Sequence, residues 1–201
     1  KHLMNHTSGL TYGFMSTTPV DAQYRDREIE FQSRSESLAD IVTRLARIPL
    51  LCQPGTQWNY SVATDVLGRL VEVWSGMSLA AFFQQRIFAP LGMTDTGFSV
   101  PEQGQDRFAA LYAPAVGGDM STVGSASATV PQDQRGGLKL MEGSSQSVYF
   151  TEPLSHSGGG GLVGTIGDYA RFCQMLVNLG ELEGERVLSP TTVRYMRTNQ
   201  L

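Results

Sequence analysis

The chain has 201 residues, 41% of them hydrophobic and 17% charged, with a net charge of −4. That is a globular composition, neither disordered nor fibrous. Acidic and basic residues are interspersed and no arginine- or lysine-rich block exists, which argues against nucleic acid as a partner.

No run of 18 apolar residues occurs, so no membrane span is expected. The first ten residues, KHLMNHTSGL, lack the charged, apolar and small-residue regions of a signal sequence. Localisation stays open between cytoplasm and periplasm. The two cysteines, Cys52 and Cys173, sit in apolar surroundings and read as buried free thiols.

In chain order, HTSGLTYG is a tight loop, and residues 15–35 are polar and irregular. Ser37 and Asp40 form a capping box for a helix through Leu38, Ile41, Val42 and Leu45, which Pro49 stops. Pro54-Gly55 makes a turn. An amphipathic helix follows over Ser61 to Trp74, with Val62, Val66, Leu67, Leu70, Val71 and Trp74 at helical spacing and Gly76 as its end. Ser78 starts a second helix, LAAFFQQRIF, expected to stop before Pro90. Residues 99–137, rich in Gly, Ser, Ala, Gln and Pro, read as a long loop.

GLKLMEG and SVYFTEP read as short strands, and SHSGGGGLVGT as a stretch that is flexible in isolation. Thr165 and Asp168 cap the helix DYARFCQMLVNLG, closed by Gly180. ELEGERVL is a hairpin-like turn. Ser189 caps a last helix with Pro190 in its first turn. Four or five helices, few strands and much loop result, too few strands for a central sheet.

The usual catalytic inventories are incomplete. The histidines His2, His6 and His156 have no HExxH or paired-cysteine context, so no metal or other cofactor is expected. The run Gly158–Gly161 lacks a phosphate-loop pattern. No GxSxG elbow occurs. A serine–lysine pair one helical turn apart would place an amine beside a hydroxyl, but neither Lys1 nor Lys139 has a serine three residues before it.

Three stretches carry a specific resemblance: HTSGL, PGTQWNYS and GGGGLVGTIGDYARF. Together with DVLGRLVEVWSGMSLAAFFQQRIFAPLGMTDTGF and LSPTTVRYM they resemble, in order, the serine β-lactamase-like family. That family comprises class C β-lactamases, DD-peptidases and esterases of the same fold. The resemblance implies an α+β, β-lactamase/transpeptidase-like fold, present here mainly as its helical region with the central sheet largely missing. It also implies that residues 1–201 are an internal portion of one hydrolase domain. The SxxK motif would precede Lys1, and the third motif would follow Leu201. His156-Ser157-Gly158 imitates an HxG third motif, but the helix after it fits the stretch that precedes that motif.

Tyr60 matches the tyrosine of the family's YxN motif, which implies a proton-transfer role during acylation. A phenol with a pKa near ~10 is a poor base at neutral pH without nearby positive charge. From the residues alone, an aromatic packed at a helix start is the plainer reading. Val62 stands where the motif has asparagine, and valine offers no amide hydrogen bond. This tilts the implied chemistry from β-lactams and peptides toward carboxylic esters, making a small-molecule ester the expected substrate. A β-lactamase or D-amino-acid peptidase, and a non-catalytic binding protein of the same fold, are the alternatives. Ser61 reads as a helix cap, and His6 and Thr7 as loop-stabilising residues. Trp58 and Asn59 could shape the pocket edge, Trp58 equally being core. The glycine run reads as a structural turn, with close backbone approach near the cleft as its alternative, and the 99–137 loop either borders the substrate entrance or is a surface insertion. Oligomeric state stays open.

Overall fold

The computed structural model describes residues 1–15, 18–114, 137–143, 145 and 147–200. Its helices are α1 (Pro19–Asp26), α2 (Leu38–Leu45), α3 (Ala63–Ser75), α4 (Leu79–Phe83), α5 (Ala89–Leu91), α6 (Ile166–Val177) and α7 (Pro190–Met196). The strands are β1 (Leu111–Pro114), β2 (Leu138–Glu142), β3 (Glu181–Leu182) and β4 (Glu185–Arg186), forming two separate two-stranded antiparallel sheets. The architecture is α+β with only small, unclosed sheets, as expected for a β-lactamase/transpeptidase-like fold with a reduced central sheet.

The capped helices form where the sequence places them. Ser37 and Asp40 complete a capping box on α2, Ser78 accepts from Ala81 N–H on α4, and Ser189 accepts from Thr192 N–H on α7. Thr165 caps α6 by accepting from Asp168 N–H. The Asp168 carboxylate acts at longer range, accepting from Asp95 N–H and the Thr96 hydroxyl, both at 2.8 Å. In the β3–β4 hairpin, Glu183 and Gly184 both have positive φ, as a tight two-residue turn requires.

Five expectations are corrected. Residues 15–35 are not wholly irregular: α1 forms there, capped by a Thr18–Asp21 box with Pro19 in its first turn. The helix after Ser78 does not stop before Pro90. A π-helical turn over Gln84–Phe88 lets Ala89 N–H reach back to the Gln84 carbonyl, and α5 carries Pro90 within its first turn. SVYFTEP forms a 3₁₀ turn over Val148–Phe150 rather than a strand, because Ser147 accepts from Tyr149 N–H. The stretch expected as loop from residue 99 contains a 3₁₀ helix, Glu102–Arg107, and β1, which pairs with β2. The rest of it, residues 115–136, lies outside the described residues. Cys52 and Cys173 are free but only half-buried.

Two apolar clusters organise the chain. Tyr24, Phe31, Leu38, Ile41, Leu45, Ile48 and Val62 make the first, and Phe88, Leu91, Met93, Met175 and Leu182 the second. Helix α3 packs against α2 and α4, and the glycine run lies against α3. A Cβ added to Gly158 would sit 2.6 Å from the Thr64 carbonyl oxygen, so only glycine lets this segment lie against α3. Among the described residues no single helix is long and apolar enough to cross a membrane.

Candidate functional site

Tyr60 lies in the extended segment that leads into α3, and that segment is pinned along its length. Asn59 N–H donates to the His6 carbonyl at 2.8 Å, the Asn59 side-chain amide donates to the Leu10 carbonyl at 2.8 Å, and Val62 N–H donates to the Thr11 carbonyl at 3.4 Å. The partner segment is fixed in turn by Gly9. Its φ is +81°, and an added Cβ would be 2.3 Å from the Cys52 carbonyl oxygen. The motif HTSGL is therefore the structural counterpart of QWNYS.

Helix α1, which the sequence reading missed, supports this pair of segments. Asp21, fully buried, accepts from the Thr11 hydroxyl at 2.8 Å and from Thr18 N–H at 3.0 Å. The Tyr24 hydroxyl accepts from Thr11 N–H at 3.4 Å, and burial pushes its phenol up to about 12. The available signal was Thr18-Pro19-Val20-Asp21, a capping box with proline in the first turn.

Tyr60 faces a cleft of about 750 Å³, bounded by Tyr12–Met15, by Tyr24 with Arg25 and Glu28–Gln32, and by Val62, Asp65, Ser157, Gly159 and Gly160. Its ring centre lies 5.4 Å from that of Tyr12 and 4.8 Å from that of His6. Burial is the main cause holding the Tyr12 phenol well above its usual range, with the negative charge of Asp65 and the neighbouring Tyr60 adding to it. The His6 imidazole is shifted down by burial, toward its neutral form.

The far wall rests on Asp65, only 2% exposed. One of its oxygens accepts from the Ser157 hydroxyl at 2.5 Å and from Gly159 N–H at 3.1 Å. Burial raises the Asp65 carboxyl, and these two donors oppose that rise. Ser157 in turn accepts from Gly160 N–H at 3.1 Å. Its hydroxyl is committed to the frame of the cleft.

Other residues singled out from sequence fall as follows. Val62 is 1% exposed and belongs to the first apolar cluster, at the N-cap of α3. Ser61 is buried; its hydroxyl accepts from Ala63 N–H at 3.4 Å and lies 3.3 Å from His6 Nδ1, while Val62 holds the capping position. Thr7 and His2 hold the first loop through a 2.8 Å side-chain contact. Trp58 is exposed, which rules out a core role, and lies edge-on to His6. His156 pairs with Glu152 at 2.9 Å and packs on Phe98, and is not itself among the residues that bound the cleft. Among the described residues no three His, Cys, Asp or Glu side chains gather as a metal site.

Neither lysine of the chain lines the cleft. The cleft thus presents the Tyr60 phenol among further rings and the side chains of Arg25, Glu28 and Glu30, with no serine–lysine pair among the residues that bound it. A second cavity, about 570 Å³ and bounded by Phe83, Ile87, Leu162, Ile166, Tyr169 and Phe172 among others, is almost wholly apolar.

A family profile described as Beta-lactamase matches residues 1–201. Protein Rv1367c of Mycobacterium tuberculosis is 36% identical over 199 residues, covering 99% of this chain and 43% of the relative. Esterase EstB of Burkholderia gladioli is 34% identical over 183 residues, covering 87% of this chain and 43% of the relative. Among solved structures, EstCE1, described as a hydrolase with promiscuous acyltransferase activity, superposes with a TM-score of 0.71 at 27% identity, covering 98% of this chain and 49% of the other. Simvastatin synthase from Aspergillus terreus, unliganded, superposes with a TM-score of 0.66 at 27% identity, covering 100% and 43%. The chain spans less than half the length of each of these relatives.

Proposed function

The chain belongs to the Beta-lactamase family, and from that premise we propose that the whole protein hydrolyses or transfers the acyl group of carboxylic esters, with Tyr60 moving the proton. The observation that carries the reading is the placement of Tyr60. Its phenol is partly exposed on the wall of the cleft while the backbone on both sides is tied down. Preorganised reactive groups of this kind are what proton transfer in an acyl-transfer site needs. Named esterase and acyltransferase relatives support the same chemistry.

In this reading residues 1–201 are part of one hydrolase domain, and the attacking serine and its lysine lie outside them. The serine adds to the ester carbonyl, and the resulting oxyanion is held by hydrogen-bond donors. Collapse expels the alcohol and leaves an acyl-enzyme. Tyr60 relays the proton from the serine hydroxyl to the leaving alkoxide. Water then releases the acid, or a second alcohol takes the acyl group.

Val62 favours esters over β-lactams. Its side chain is buried among apolar residues, so no amide stands at this position to hold a substrate amide. An alcohol also leaves more readily than an amide nitrogen, so the site needs less assistance.

The test uses the full-length protein with a short-chain nitrophenyl ester and a cephalosporin. Ester turnover is expected to exceed cephalosporin opening, and Tyr60→Phe is expected to lower kcat by about 10²–10⁴-fold with the melting temperature unchanged. An unaltered kcat in the variant removes Tyr60 from the mechanism. Cephalosporin opening without ester turnover replaces the ester reading with a β-lactamase one.

A further inference from the structure

Five rings run in sequence along one side of the Tyr60 segment. Trp58 lies edge-on to His6 at 6.1 Å, and His6 contacts Tyr60 at 4.8 Å. Tyr60 contacts Tyr12 at 5.4 Å, and Tyr12 stacks on Phe14 at 4.8 Å with 22° between the planes. Phe14 ends the row inside the cleft, with 46% of its surface exposed.

Phe14 is held in place. Met15 N–H donates to the Tyr12 carbonyl at 3.2 Å, closing a turn around Gly13-Phe14. The Arg25 guanidinium donates to the Gly13 carbonyl, fixing the same turn from α1. The ring therefore offers a ready flat surface in line with the Tyr60 phenol. A planar group laid on such a surface gains from stacking as well as from leaving water, and a puckered group of equal size gains mainly the second.

We propose that Phe14 is a specificity-determining residue that selects esters carrying a planar aryl group, which lies against the Tyr12–Phe14 stack while its carbonyl faces Tyr60. This rests on the ester reading of the same cleft and names the substrate class within it. Stacking preferences of this kind correspond to about two- to tenfold in kcat/KM.

The experiment measures kcat/KM of the full-length protein for methyl phenylacetate and methyl cyclohexylacetate, which share a carbon skeleton and differ in planarity. Wild type is expected to prefer the phenyl ester by about two- to tenfold. Phe14→Leu is expected to bring the ratio close to one, and Phe14→Trp to retain the preference. Thermal melting shows that each variant is folded, which the exposure of Phe14 makes the expected result. Turnover of both esters at a ratio that Phe14→Leu leaves unchanged overturns the inference while keeping the ester reading. Turnover of neither by folded wild-type protein overturns both.

Discussion

Tyr60 keeps 41% of its surface exposed although its neighbours on both sides are hydrogen-bonded or buried. Asn59 is spent on backbone partners, and Ser61 lies under His6. The phenol is the group this segment leaves to the cleft. His6 adds an electrostatic consequence. Burial depresses its imidazole in the folded chain, whereas the unfolded chain takes up its proton near the ordinary value of ~6.5. Below that value the unfolded state binds more protons, so stability is lost as pH falls toward the folded-state pKa. Unfolding free energies from urea titrations between about pH 7.5 and 5.5 should therefore drop more steeply in wild type than in His6→Gln. Equal slopes would show that this ring is not a source of the pH dependence.

At the scale of elements, α1 and α3 decide how the cleft is walled. Helix α1 brings Asp21 beneath Thr11 and Arg25 beside Gly13, so one short helix steadies both the Tyr60 segment and the Phe14 turn. Helix α3 follows its N-cap Val62, whose side chain enters the apolar cluster, and in its first turn presents Asp65 to Ser157 and Gly159. The position that carries a polar amide in the YxN pattern is thus part of the core. Val62→Asn should cost about 1–3 kcal/mol, since it buries an amide among Tyr24, Phe31 and Ile41 with no partner provided. Chemical denaturation measures this. A gain in cephalosporin turnover without loss of stability would show instead that the new amide finds a partner at the cleft.

For the molecule as a whole, α3 packs against α2, whose residues belong to the first apolar cluster, and against α4, whose Phe83 packs on the second, while the glycine run lies against α3. Gly158 lies against the Thr64 carbonyl on one side and 3.6 Å from Gly68 on the other, measured from the position its Cβ would take. Gly158→Ala should therefore force α3 and the segment apart and destabilise the chain by about 1–3 kcal/mol. A lowered denaturation midpoint at unchanged m-value is the expected result. An unchanged midpoint would mean that the contact relaxes without cost. Elsewhere the surface is markedly apolar along α6, where Ile166 is 89% exposed and borders the second cavity.

The capped helices, the order of the family-like motifs from HTSGL to LSPTTVRYM and the scarcity of strands were all legible in the residues. These depend on contacts a few residues apart, such as Ser37 with Asp40 or Ser189 with Thr192, or on a motif order that survives without coordinates. Even so, local signals were not all legible: the Thr18–Asp21 box was hidden in a polar stretch with little amphipathic periodicity, and the π turn before Pro90 has no simple residue signature. That Asp65 meets Ser157, 92 positions away, and that Asp168 serves the turn at Asp95 as well as its own helix, came from the folding of the chain as a whole. It also decided that Val62 is core, Trp58 is exposed, and Tyr12 and Phe14 continue the ring row from Tyr60. The reason is physical. Side-chain spacing along a helix or turn is set by backbone geometry, whereas burial and long-range pairing are set by which surfaces the whole chain brings together.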